Sequence, residues 1–213
     1  MLIQGQAGNL PTQSNKSGQN SLAQGWLNES LVSELLAPYA SLAQNGLVFT
    51  AAMQAVTALS LLSTATATGL ILVNPASSGK NLHLLELSVQ TSATEVATGS
   101  NIVLAFNGNP VAAAVVNTTP ATISNALLGS GASSVARANT AATLPAVPIA
   151  LRPVAFANTT FGVAATAGLA QVPTIKEEFR GGIIIAPGCS VSLAALTTAI
   201  SVLASFTWAE LPI

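Results

Sequence analysis

GGIIIAPGCSVSLAALTTAISVLASFTWAELPI (181–213) is long, apolar and almost uncharged, and it reads either as a membrane span or as sheet. No charge falls between Gly181 and Ala209, and by hydropathy alone this run is long enough to cross a bilayer. Two features argue against a membrane helix. Pro187-Gly188 lies inside the run as a turn signal. Beyond it the pattern has period two. Ile200, Val202, Ala204, Phe206 and Trp208 alternate with Ser201, Leu203, Ser205, Thr207 and Ala209. A helix repeats every 3.6 residues and a strand every two, so this is a strand with one buried face and one small or polar face. The stretch predicts sheet, and no membrane partner.

The same texture extends upstream from there. Short apolar runs are separated by turn residues: LVFTAA (47–52), GLILV (69–73), NLHLLELSVQ (81–90), NIVLAF (101–106), VAAAVV (111–116), VPIALR (147–152), PVAFA (153–157), TIKEEF (174–179), GIIIA (182–186) and CSVSLAA (189–195). NPASSG (74–79), TGSN (98–101) and NGNP (107–110) punctuate them. Many short strands with regular turns in one domain of this length favour a jelly-roll β-sandwich over 46–213. Residues 117–147, rich in Ala, Ser, Thr and Asn, read as a long excursion with a short helix near 121–128. Residues 1–45 read as an N-terminal arm. Its first twenty residues are polar, and Leu22, Trp26, Leu31, Leu35 and Tyr39 recur at about helical spacing, predicting a helix within 21–40 that Pro38 should end. The N-terminus lacks a basic start followed by an apolar run, so no secretory signal is expected.

Composition narrows the function. Charged residues are 6% of the chain, against about 25% in an ordinary soluble domain. There is no Asp, one His (His83), one Cys (Cys189), and a net charge of −1. The six Lys and Arg are scattered from Lys16 to Arg180, which argues against a nucleic-acid partner, since phosphate binding needs clustered cations. A surface of Ala, Ser, Thr, Asn and Gln does little to keep copies apart, which suits assembly better than catalysis.

The chemistry-bearing motifs read as structural. NPASSGKN (74–81) ends in Ser-Gly-Lys, but a phosphate loop needs Gly where Asn74 stands and Ser or Thr where Asn81 stands. A strand-connecting turn with an exposed lysine is expected instead. His83 alone cannot build a metal site, and Cys189 reads as a small buried hydrophobe rather than half of a Cys–His dyad. Glu177 and Glu178 are strand neighbours, so they point to opposite faces and do not form a catalytic pair. Alternation instead puts Lys176, Glu178 and Arg180 on one face and Ile175, Glu177 and Phe179 on the other. That cluster reads as an edge strand guarded by charge, or as a partner contact in which alternating signs fix register. No cofactor, metal or catalytic residue is expected, and the chain is not expected to be an enzyme.

GLILVNPASSGKNLHLLELSV (69–89), the ending 181–213 with its Gly-Gly, aliphatic triplet, Pro-Gly and closing Trp-x-Glu-x-Pro, and NGLVFTAA (45–52) together resemble β-rich virion structural proteins of tailed bacteriophages. The nearest likeness is to a jelly-roll capsid decoration or cement protein. The resemblance does not reach 107–150. It implies a place on the outer capsid surface, self-association (often as trimers), the major capsid protein as partner, and no cofactor. Under it the arm and its neighbours Trp26, Glu29 and Glu34 would contact the capsid, with Lys176, Glu178 and Arg180 as a secondary contact. A tail or fibre component, or another shell subunit, is the alternative virion role. A small membrane protein built around 182–208 is the remaining one.

Overall fold

The computed structural model describes residues 23–24, 30–31, 39–91, 99–108, 115–157 and 174–213. The chain divides into two units, Met1–Ser41 and Leu42–Ile213. In the first, β1 (Ala23–Gln24) pairs antiparallel with β2 (Ser30–Leu31), Ala23 opposite Leu31. This corrects the helix expected across 21–40: its spacing of apolar residues is interrupted by Gly25 and Asn28, which favour turns over helix interior. Of that pattern Leu31 lies in β2 and Tyr39 directly before the helix that follows, while Leu22, Trp26 and Leu35 lie outside the described residues. A five-residue helix, α1 (Ala40–Gln44), follows Pro38.

The second unit is an all-β sandwich. Its eight principal strands are β3 (Val48–Ala52), β5 (Thr66–Val73), β6 (Lys80–Thr91), β7 (Ser100–Asn107), β11 (Ile149–Ala157), β12 (Thr174–Ile185), β13 (Ser190–Ala195) and β14 (Ser201–Pro212). One sheet contains β12-β6-β14-β3 and the other β11-β7-β13-β5, all pairs antiparallel. All but one of the chain's steps between successive principal strands cross from one sheet to the other, and the last strand lies beside the first. That interleaving is a jelly roll. The two-residue β4 (Thr57–Ala58) pairs with the start of β14.

The core lies between the sheets and is filled by Leu70, Leu72, Leu84, Leu87, Leu104, Leu193, Phe206 and Trp208. The Trp208 and Phe49 rings stack with centroids 6.3 Å apart. The two sheets differ in a way the sequence carries. Along β14 burial alternates, as its period-two pattern dictates. In β5, β7 and β13 nearly every residue is buried, so GLILV and NIVLAF are continuous apolar runs. Gly69, at φ +102°, packs against Leu59 where a Cβ would overlap the leucine side chain.

The excursion is built of strands, not of the short helix expected near 121–128. β8 (Val116–Pro120) pairs with β10 (Arg137–Thr143), and β10 pairs with β5. β9 (Ile123–Asn125) pairs with β3. The excursion therefore extends the same-side edge of each sheet, by β9 on one and by β10 and then β8 on the other, which pairs backbone groups that would otherwise be open. Tertiary pairing overrides the helical preference of its alanines. Two further boundaries differ. The runs 147–152 and 153–157 merge into β11, because Pro153 sits on an edge strand where its missing N–H costs no ladder bond. The runs 174–179 and 182–186 merge into β12 through a register shift between Glu178 and Ile183, with Arg180 at φ 52° and Gly181 at φ 79°. Most of the run 111–116 lies outside the described residues.

Candidate functional site

The side of the sandwich opposite the excursion is formed by β11 and β12, the end strands of the two sheets. β12 holds the densest charge in the domain. Its exposure alternates, so Lys176, Glu178 and Arg180 stand outward while Phe179 is buried. On β6, Glu86 lies directly opposite Glu178, a like-charge pair. Lys176 relieves it: Nζ reaches Glu86 at 3.0 Å and Glu178 at 3.6 Å. The hydrogen bond and charge of Glu86 hold the Lys176 ammonium above its ordinary range. Arg180 reaches Glu178 at 3.5 Å.

The inward face of the same strand ties the two sheets together. Glu177 takes an ion pair from Arg152 of β11 at 2.5 Å, and the Arg152 guanidinium lies 5.3 Å from the Phe179 ring centre. Glu177 and Glu178 thus face opposite ways and serve different partners. Beside them β11 exposes apolar side chains: Ile149 is 63% and Phe156 62% exposed, with Leu151 also in solvent. An exposed apolar edge next to an alternating charged one is an unusual surface for an isolated sheet margin.

A second cluster is structural. Glu210 is fully buried near the end of β14. Its carboxylate accepts hydrogen bonds from Ser134 Oγ (2.5 Å), the Val135 backbone N–H (3.0 Å) and Trp208 Nε1 (3.4 Å), and pairs with Lys80 Nζ at 3.2 Å. A buried charge of this kind is stable only when its lone pairs are filled. Here it fastens the excursion to the sandwich. Lys80 is therefore a part-buried, ion-paired residue at the start of β6, rather than the exposed turn lysine expected from NPASSGKN. Asn74 completes that turn: its Nδ2 donates to the carbonyls of Lys80 and Ile185, both at 2.8 Å. The segment is a strand-joining corner rather than a phosphate cradle.

Cys189 is a partly buried free thiol beside this corner, and burial pushes its pKa up, away from nucleophile chemistry. His83 lies on β6 between Ile184 of β12 and Ala209 of β14. A groove of about 510 Å³ opens where Phe49 meets the excursion, lined by Ser124, Ser130, Ser133 and Ser134 among apolar neighbours. None of its lining residues is titratable.

Of the residues expected at partner contacts, Lys176, Glu178 and Arg180 stand together on one face, while Trp26, Glu29 and Glu34 lie outside the described residues. Arg152, Glu86 and Glu210 were not anticipated. Glu210 had a legible signal: it continues the buried parity of Val202, Ala204, Phe206 and Trp208, so an acid there needed a partner. Arg152 had none, because its partner comes from a strand of the other sheet. No family model, no curated protein and no solved structure matches the chain.

Proposed function

We propose that this chain is a non-enzymatic virion structural protein of a tailed bacteriophage, a capsid decoration or cement protein bound to the outer surface of the shell. The observation that supports it best is the combination of a jelly-roll domain with a chain nearly free of charge, in which the clustered charges lie along a strand edge rather than around a pocket. Such a surface enters close, extensive contacts with few charges to desolvate. The resemblance of 45–52, 69–89 and 181–213 supplies the virion setting.

In this reading the polar segment 1–20 orders against the major capsid protein, and the self-associated β-domains present several such arms to several shell subunits. Lys176, Glu178 and Arg180 form a secondary contact surface. The role needs no cofactor, nucleic acid or membrane. Copy number in purified particles tests it. A cement protein approaches the shell subunit in abundance. A few copies per particle would mark a tail or fibre component instead.

A further inference from the structure

We propose that the β11/β12 side of the sandwich is a homotypic interface, in which two copies of this chain pair antiparallel along the open edges of β12 about a twofold axis. The inference deepens the self-association in the reading above and rests on it, but not on capsid binding.

The first argument is the asymmetry of the domain. Its other side is extended by β9 on one sheet and by β10 and β8 on the other. Among the described strands of that side, β8 reads VNTTP, without charge or large apolar content beyond Val116. Among the described residues, the β11/β12 side has no such addition, and it combines exposed Ile149, Leu151 and Phe156 with alternating charge.

The second argument is charge complementarity, which selects one register. The segment before the bulge reads Thr174-Ile-Lys-Glu-Glu-Phe-Arg180. In a twofold antiparallel pair, facing residues point to the same side of the joined sheet, so the axis passes through a residue. Centred on Glu178, the pairing sets Glu178 against Glu178 and Lys176 against Arg180, like against like. Centred on Lys176, it sets lysine against lysine. Centred on Phe179, it sets Glu178 against Arg180, but Arg180 at φ 52° opens the bulge and leaves the regular ladder. Centred on Glu177, it sets Lys176 against the second copy's Glu178, twice, and Ile175 against Phe179, twice. The two Glu177 carboxylates then meet at the axis, where each already carries its own Arg152. Opposite charges fix the register. The same axis brings the two β11 edges toward each other, so their exposed apolar side chains supply the burial.

The contact is isologous and closes as a dimer, in distinction from the trimer that the resemblance implies. Sedimentation velocity of the full chain tests it. Wild type is expected to sediment as a dimer. Lys176→Glu alone and Glu178→Lys alone each place like charges in both cross-strand pairs, and each should weaken dimerisation by about tenfold or more. Mixed one to one, the two variants regain every opposite-charge pair and should sediment as a dimer again. Ile149→Ser, an exposed position outside the charge set, should also weaken the dimer. A monomeric wild type, a trimer, a mixture of charge variants that stays monomeric, or an Ile149→Ser dimer of full strength would each overturn the interface. Shell co-sedimentation reads capsid binding separately, so either idea can fail without the other.

Discussion

Glu210 shows how one side chain fixes a long excursion. Its carboxylate meets Ser134, Val135 and Lys80 from two different parts of the chain. Replacing it with Ala leaves a buried N–H and hydroxyl unsatisfied, and should cost about 3 kcal/mol of unfolding free energy in urea titration. Glu210→Gln keeps an acceptor and should cost less. Equal losses in the two variants would show that charge, not hydrogen bonding, is what matters. Gly69 is the second such position. Its φ of +102° and its contact with Leu59 leave no room for a methyl group. Gly69→Ala should destabilise by about 3 kcal/mol, and an unchanged denaturation midpoint would contradict the packing described. Cys189 adds a pH dependence. Its thiol pKa is raised by burial, so the folded state holds its proton where the unfolded state has lost it. Its contribution to stability therefore falls as pH rises above the unfolded thiol range, about 8.5. Alkylation of the native protein should likewise begin at higher pH than in urea, and coincident profiles would contradict this burial.

At the scale of elements, core packing of Val154, Ala155 and Phe179 on the β11/β12 side is joined by a polar link. Arg152 pairs with Glu177 and covers Phe179, so it couples the end strands of two sheets. A double-mutant cycle of Arg152→Ala and Glu177→Gln should give a coupling of about 0.5–1 kcal/mol, partly lost at high salt, since both groups are partly exposed. Additive effects would mean that the pair contributes nothing. Most strands were legible in the chain. Period two in Ile200–Trp208 and the apolar runs at 69–73 and 101–106 record burial on one face and on both. The excursion was not legible, because β8, β9 and β10 are strands by virtue of the edges they join. Pro153 and Gly181-Gly182 read as breaks, yet an edge position and a bulge absorb them.

For the whole molecule, the low charge seen in composition becomes a spatial division. Outward charge gathers on β12 and its neighbour Glu86, while Lys80 and Glu210 pair within the fold. Alternation along one strand revealed the Lys176, Glu178, Arg180 face, because strand geometry alone sets it. Partners that arrive from another sheet leave no such local mark, and Arg152 went unseen for that reason. In the proposed role, the N-terminal segment clamps a phage shell. Co-sedimentation with purified tailed-phage shells tests that role, comparing the full chain with a version lacking residues 1–20. The account predicts near-stoichiometric binding of the full chain, a raised shell melting temperature, and loss of both on truncation. Equal binding and equal shell stability with and without the segment would contradict it.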